Sequence, residues 1–264
     1  MELEEAAVAA EAVKEDAGND PSQVSVSMIF HLKGAHSRYR FRNQTDMDKS
    51  MDDYQLLIDL HKNSQRQGPG GDAASEKALS LAITDRAVPL KIADIGCGTG
   101  ASTLLLARLL EAKITAVDFL QDFLDVLETK AEKMGLSDKV TTLCGSMDNL
   151  PFGDAEYDVI WSEGAIYNIG FKKGVTDWNR ILKTGGMLVV SEITWLTADR
   201  PSELQAYWKN EYPGIDRASS KIDILENSGY SPFAYFVLPE HCWLDNYYRP
   251  MQDGYGVYIA RKLG

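Results

Sequence analysis

The run Asp94-Ile95-Gly96-Cys97-Gly98-Thr99-Gly100 concentrates the chemistry of this 264-residue chain. Three alternate glycines let the backbone turn sharply and approach a ligand, because no Cβ stands in the way. A helical pattern follows at Ser102–Leu110, so the first amides of that helix would face an electron-rich group. Many nucleotide binders use a glycine loop, but the acids around this one narrow the choice. Asp94 would repel a pyrophosphate and welcome an amino group. Asp118 ends the next β-rich run, 22 residues after Gly96, where an acid suits ribose hydroxyls. The pair fits a ligand with a cationic amino-acid end and a ribose, and without phosphate.

These residues need strands and helices to hold them. Seven short β-rich runs occur, at Lys91–Ile95, Lys113–Asp118, Lys139–Cys144, Tyr157–Ser162, Met187–Glu192, Phe233–Leu238 and Gly256–Ala260. Helical patterns separate the early ones, at Ser102–Leu110, Phe123–Lys133 and Val175–Leu182. Strand–helix alternation predicts an α/β fold with an open, mostly parallel sheet and helices on both faces. Only Pro239–Tyr255 separates the last two runs, so the final strand is expected to pair antiparallel. Ahead of the sheet, apolar spacing predicts helices over 46–63 and Ala73–Ile83, divided by the turn-rich Gln67-Gly68-Pro69-Gly70-Gly71.

Composition limits the partners. The net charge is −12, and residues 1–27 hold seven acids against one lysine, half of the total. That segment reads as an acidic, solvated tail, and residues 28–264 as a single domain. An acidic chain argues against general nucleic-acid binding. No run is apolar enough for a membrane span, and no secretory signal pattern opens the chain. Three dispersed cysteines, Cys97, Cys144 and Cys242, fit a reducing, cytoplasmic setting and give no metal-ligand spacing. Cys97 and Cys144 are expected to be small buried residues. No metal dependence is expected, and the oligomeric state stays open, a homodimer included.

At the glycine loop the chain resembles the class I S-adenosylmethionine-dependent methyltransferases. Asp94–Gly100 matches their glycine motif, and Asp118-Phe119 their acidic position after the second strand. Gly145-Ser146-Met147-Asp148-Asn149-Leu150-Pro151-Phe152 is similar to their adenine-contacting segment. Tyr157–Ser162 resembles their fourth strand, and Leu182–Leu188 the turn into the fifth. In detail the likeness is to the small-molecule enzymes of the ubiquinone/menaquinone-biosynthesis type. The resemblance implies a Rossmann-like seven-stranded sheet with an antiparallel last strand and N-terminal lid helices over 28–85, Gly68-Pro69-Gly70 serving as hinge.

It also implies S-adenosyl-L-methionine as cofactor. Asp94 would hold the amino group, Gly96 and Gly98 would underlie the methionine part, and Asp118 would take the ribose with Phe119 against adenine. Met147 would offer its backbone N–H to the ring. Ser146 stands where the family commonly has Asp, and Asp148 next door is the substitute. The implied activity is direct in-line methyl transfer to a small-molecule acceptor. A sensor or scaffold of the same fold, binding cofactor without turnover, is the alternative. A nicotinamide oxidoreductase is disfavoured by Asp94 and by the lack of a Tyr-x-x-x-Lys pair.

An activated methyl needs alignment, dryness and, for some acceptors, a base. Acceptors should approach over the ends of the fourth and fifth strands. Candidate catalytic residues there are Glu163 and Tyr167, with His241 from the loop after the sixth run. Glu163 could equally bind cofactor or cap a helix. The stretch Trp195–Tyr248 is rich in aromatics, and an insertion near 195–225 is expected to lie on the substrate side. Trp195, Trp243 and Tyr39 are the substrate-side candidates. Tyr39 sits in the one basic cluster, with Arg38, Arg40 and Arg42.

Overall fold

The computed structural model describes residues 58, 59 and 61–248. The acidic tail, Tyr39 with its arginines, most of the 46–63 helix and the Gly256–Ala260 run lie outside them. The described residues divide into two compact units: 61–192 continued by 222–248, and 193–221 grouped with 58 and 59.

In the larger unit the order is α1 (Asp72–Ala82), β1 (Leu90–Ile95), α2 (Ala101–Leu109), β2 (Ala112–Asp118), α3 (Gln121–Lys133), β3 (Val140–Cys144) and β4 (Tyr157–Glu163). A 3-10 turn (Ile166–Asn168), α4 (Phe171–Asn179) and β5 (Leu182–Ser191) follow. The sheet order is β3-β2-β1-β4-β5, and every pair is parallel. Alternate residues of the central strands feed opposite faces. Ala93, Ile95, Ile160 and Val117 pack with Ile166, Val175 and Trp178. Ile92, Ile114, Val159 and Trp161 pack with Leu79, Leu105 and Leu106. Burial on both faces is what a parallel sheet under two helix layers requires. The order reverses between β1 and β4, so a crevice opens at their carboxyl ends.

Three expectations need correction. Five strands, not seven, form the sheet among the described residues; the run expected to pair antiparallel, Gly256–Ala260, lies outside them. Phe233–Leu238 is irregular, and Phe233, Tyr235 and Val237 stand 73%, 54% and 50% exposed, so among the described residues no strand pairs with this alternating apolar run. The helix expected at Val175–Leu182 begins earlier, at Phe171 after Gly170 (φ 88°), and ends before β5. There the carbonyls of Arg180 and Ile181 accept from Ala155, Glu156 and Tyr157, which ends the helix and starts the strand. Cys144 is exposed because β3 is an edge strand, whereas Cys97 is buried.

In the smaller unit, two-residue strands β6 (Thr194–Trp195) and β7 (Asp216–Arg217) pair in parallel around α5 (Ser202–Glu211). Trp195 meets Trp208 edge-on, centroids 6.4 Å apart, and carries the Arg200 guanidinium 4.2 Å over its ring. Helix α6 (Ala218–Asn227) leads back to the larger unit. There a helical turn at His241–Trp243 (α7) runs into a wider π turn at Leu244–Tyr248.

Candidate functional site

The glycine loop leaves β1 at its carboxyl end. Gly96, Gly98 and Gly100 adopt φ of 76°, 55° and 86°, a region that side chains disfavour. Space is equally strict. A Cβ on Gly96 would lie 2.3 Å from Ala165 Cβ, and one on Gly100 2.1 Å from Leu127 Cδ1. The loop is pinned below by the amides of Gly96 and Cys97, which donate to Val117 O.

Asp94 is fully buried. Its Oδ2 accepts from Ser102 Oγ (2.9 Å) and Thr103 Oγ1 (2.6 Å), which fixes the carboxylate against the start of α2. Its Oδ1 is buried with no partner. Desolvation pushes the Asp94 pKa up to about 7, against the two hydroxyl bonds, and the Glu163 and Asp118 charges add to the rise. A buried carboxylate oxygen lacking a donor is costly, so the site calls for a donor or cation there.

Asp118 has a double task. Its Oδ2 accepts from Gly98 N at 2.9 Å and its Oδ1 from Leu120 N at 3.0 Å. The carboxylate therefore braces the glycine loop while each oxygen keeps a further lone pair. Burial raises its pKa, against those backbone bonds. Phe119, next in the chain, is 60% exposed, a large apolar ring on the rim. Ser146 and Asp148 hydrogen-bond to each other. Met147 O is held by Trp178 Nε1 at 3.0 Å, and Met147 Cε would lie 3.2 Å from a Cβ on Gly96. The structure thus gathers Asp94, Gly96, Gly98, Asp118 and Met147 around one loop.

The opposite wall was not foreseen. Glu163, at the end of β4, accepts from Arg66 Nη1 (2.8 Å), Ser75 Oγ (2.7 Å) and Trp161 Nε1 (2.9 Å). Arg66 is 8% exposed and also reaches Asp72 Oδ1 at 3.0 Å. Its neighbour Gln67 reaches the glycine loop: Oε1 accepts from Thr99 N at 2.9 Å, and Nε2 donates to His61 O, Ser64 O and Thr99 Oγ1 at 3.1 Å each. The sequence marked Gln67–Gly71 only as a turn and hinge. Long polar side chains beside such a turn carry no local signal of what they reach.

The remaining candidates are spread out. Tyr167 lies half-buried in the 3-10 turn after β4. His241 is exposed and Trp243 half-buried, in a loop docked on the same segment: Gly70 N donates to Cys242 O and Asn246 Nδ2 to Gly70 O. Trp195 belongs to the smaller unit. Among the described residues no group of three or more His, Cys, Asp or Glu could hold a metal ion. No helix among them is long and apolar enough to cross a membrane.

Residues 92–186 match the family described as "Methyltransferase domain". The match runs from β1 into β5 and takes in the glycine loop, Asp118 and Glu163. Over this segment the chain is similar to methyltransferase domains. Around it, the chain is 32% identical over 148 residues to a demethylmenaquinone methyltransferase of Bacteroides fragilis, covering 54% of this chain and 58% of that one. It is 32% identical over 146 residues to a malonyl-[acyl-carrier protein] O-methyltransferase of Herminiimonas arsenicoxydans, covering 52% and 53%. The chain thus spans little more than half the length of these curated relatives. A methyltransferase from Geobacter sulfurreducens, solved with S-adenosyl-L-homocysteine, has a similar fold: TM-score 0.64, 19% identity, 75% of this chain and 78% of that one. A [4+2]-cyclase, SpnF, shares the domain fold at TM-score 0.52 and 24% identity, covering 60% and 56%, so the fold alone does not name the reaction.

Proposed function

We propose that the chain is an S-adenosylmethionine-dependent methyltransferase acting on a small-molecule acceptor. The observation that carries this reading is Asp94 Oδ1, buried without a partner beside a loop whose three glycines hold positive φ. An amino-acid ammonium would supply the missing donor and favour the ionised carboxylate. The residues present therefore fit the cofactor.

Each residue then has a role. Gly96 and Gly98 keep the floor low enough for the amino-acid portion to lie on backbone. Asp118 accepts ribose hydroxyls on the lone pairs its backbone bonds leave. Phe119 covers one face of the adenine, and Met147 N with Ser146 and Asp148 addresses its edge. When bound, the cofactor supplies a methyl group already activated on a sulfonium. What remains for the protein is to align an acceptor lone pair with the C–S bond and keep water out. Tyr167 orients the acceptor at the β4 end, and His241 is the candidate to take its proton. Glu163, engaged by three donors, holds the wall of the site. Trp243 is assigned to the acceptor side, where an aromatic ring suits a planar apolar or cationic acceptor. We place the enzyme in the cytoplasm, in line with its sparse, unpaired cysteines.

The test is turnover with methyl-labelled S-adenosylmethionine across a panel of phenols, quinols, carboxylates and amines. Labelled product with matching S-adenosylhomocysteine supports the assignment. Tight cofactor binding without transfer to any acceptor would favour the sensor or scaffold reading.

A further inference from the structure

The seat over the start of α2 is taken by a side chain of the protein itself. Thr99 N, between Gly98 and the α2 N-cap Gly100, donates to Gln67 Oε1 at 2.9 Å, and a Cβ on Gly98 would come within 2.4 Å of the same oxygen. Backbone amides at such a loop–helix junction are the usual seat of a ligand carboxylate. The second half of an α-amino-acid site lies at the end of β1 that feeds this loop, as the unpartnered, fully buried Asp94 Oδ1. An amino acid presents both groups at once, ammonium and carboxylate.

Gln67 is held from behind as well as in front. Its Nε2 donates to His61 O and Ser64 O, tying the side chain into its own segment. Arg66, beside it, is fastened to Glu163 and Asp72. Gly68 meets Gly164 closely: a Cβ on Gly68 would lie 3.6 Å from Gly164 O. The segment is thus anchored at Arg66, while only side-chain hydrogen bonds hold Gln67 on the loop.

We infer that Gln67 is a displaceable plug: its carboxamide occupies the carboxylate seat of the cofactor's amino-acid end and must leave Thr99 N when cofactor binds. This rests on the cofactor reading above. Displacement releases the hold of Nε2 on the 61–64 turn, while the Arg66–Glu163 pair keeps the segment attached. Gln67 is accordingly a positioning residue that sets how readily cofactor reaches its seat.

The experiment is stopped-flow and calorimetric binding of S-adenosylhomocysteine to the full chain and two variants. Gln67→Ala removes the competitor and should speed association and tighten binding, about five- to tenfold for one hydrogen-bonded competitor. Gln67→Glu should bind at least about tenfold more weakly, because a carboxylate competes harder and repels that of the ligand. Equal or weaker binding by Gln67→Ala overturns the inference. Hydrogen exchange on the unmutated protein gives a second reading that needs no variant. Saturating S-adenosylhomocysteine should speed exchange in residues 61–67 while slowing it in the glycine loop; slowing in both overturns the plug. Absence of binding by the unmutated chain would instead defeat the cofactor reading itself.

Discussion

Arg66 and Glu163, 97 positions apart, form a largely buried ion pair at 2.8 Å, their side chains 8% and 15% exposed, that ties the segment before α1 to the end of β4. The pair stands where β4 gives way to the loop beside the cofactor seat, and Ser75 and Trp161 complete its hydrogen bonding. Removing one partner leaves the other charge buried and poorly matched. Arg66→Ala is therefore expected to lower stability by about 3 kcal/mol, read by urea unfolding with the cofactor absent. A change within about 0.5 kcal/mol would show that the pair contributes nothing to the fold.

Asp94 should give binding a pH dependence. Its pKa near 7 in the free protein means that acid solutions leave the carboxyl protonated, without the charge an ammonium needs. S-adenosylhomocysteine affinity should rise with pH through about 7 and then level off. Stability should run the opposite way. The folded pKa exceeds the ordinary carboxylate value of 3.8, so the folded state binds the proton more tightly. The Asp94 contribution to stability is greatest below pH 4 and declines as pH rises toward 7. Asp94→Asn should weaken binding at pH 8 by about tenfold or more and flatten both profiles, which calorimetry and thermal unfolding at matched pH would show.

The glycine loop was legible because its chemistry is local. Alternate glycines, the acid before them and the acid ending the next strand lie in one stretch of strand, turn and helix. The succession of the first five strands along the chain could be read from the same alternation, but not their order in the sheet. The wall facing the loop could not, because Arg66, Gln67, Ser75 and Glu163 meet only through the tertiary fold. Phe233–Leu238 alternates like a strand yet pairs with none among the described residues. Local pattern gives strand character, and pairing depends on a neighbour. Glu163 reads as a candidate to orient or deprotonate an acceptor because it lies at the end of β4, and its three donors are visible only in three dimensions.

Gly100→Ala is expected to unfold the loop locally. The residue has φ 86°, and an added methyl would sit 2.1 Å from Leu127 Cδ1. Strain and overpacking together should cost about 2 kcal/mol or more and abolish cofactor binding at ambient temperature. A variant of native stability and affinity would show that the loop has another conformation open to it.

Phe119→Ala separates binding from folding. The ring is 60% exposed, so its loss should change unfolding by less than about 0.5 kcal/mol. If it covers adenine, affinity for S-adenosylhomocysteine should drop about tenfold, whereas affinity for an analogue lacking the base should not change. An equal loss for both ligands would remove Phe119 from the adenine face.

The most direct measurement is calorimetric titration of the full chain with S-adenosylmethionine and S-adenosylhomocysteine at pH 8, alongside Asp94→Asn. The expected result is saturable binding of both, one per chain, sharply weakened by the substitution. A flat titration of the folded, unmutated protein with both ligands would contradict the assignment of this site.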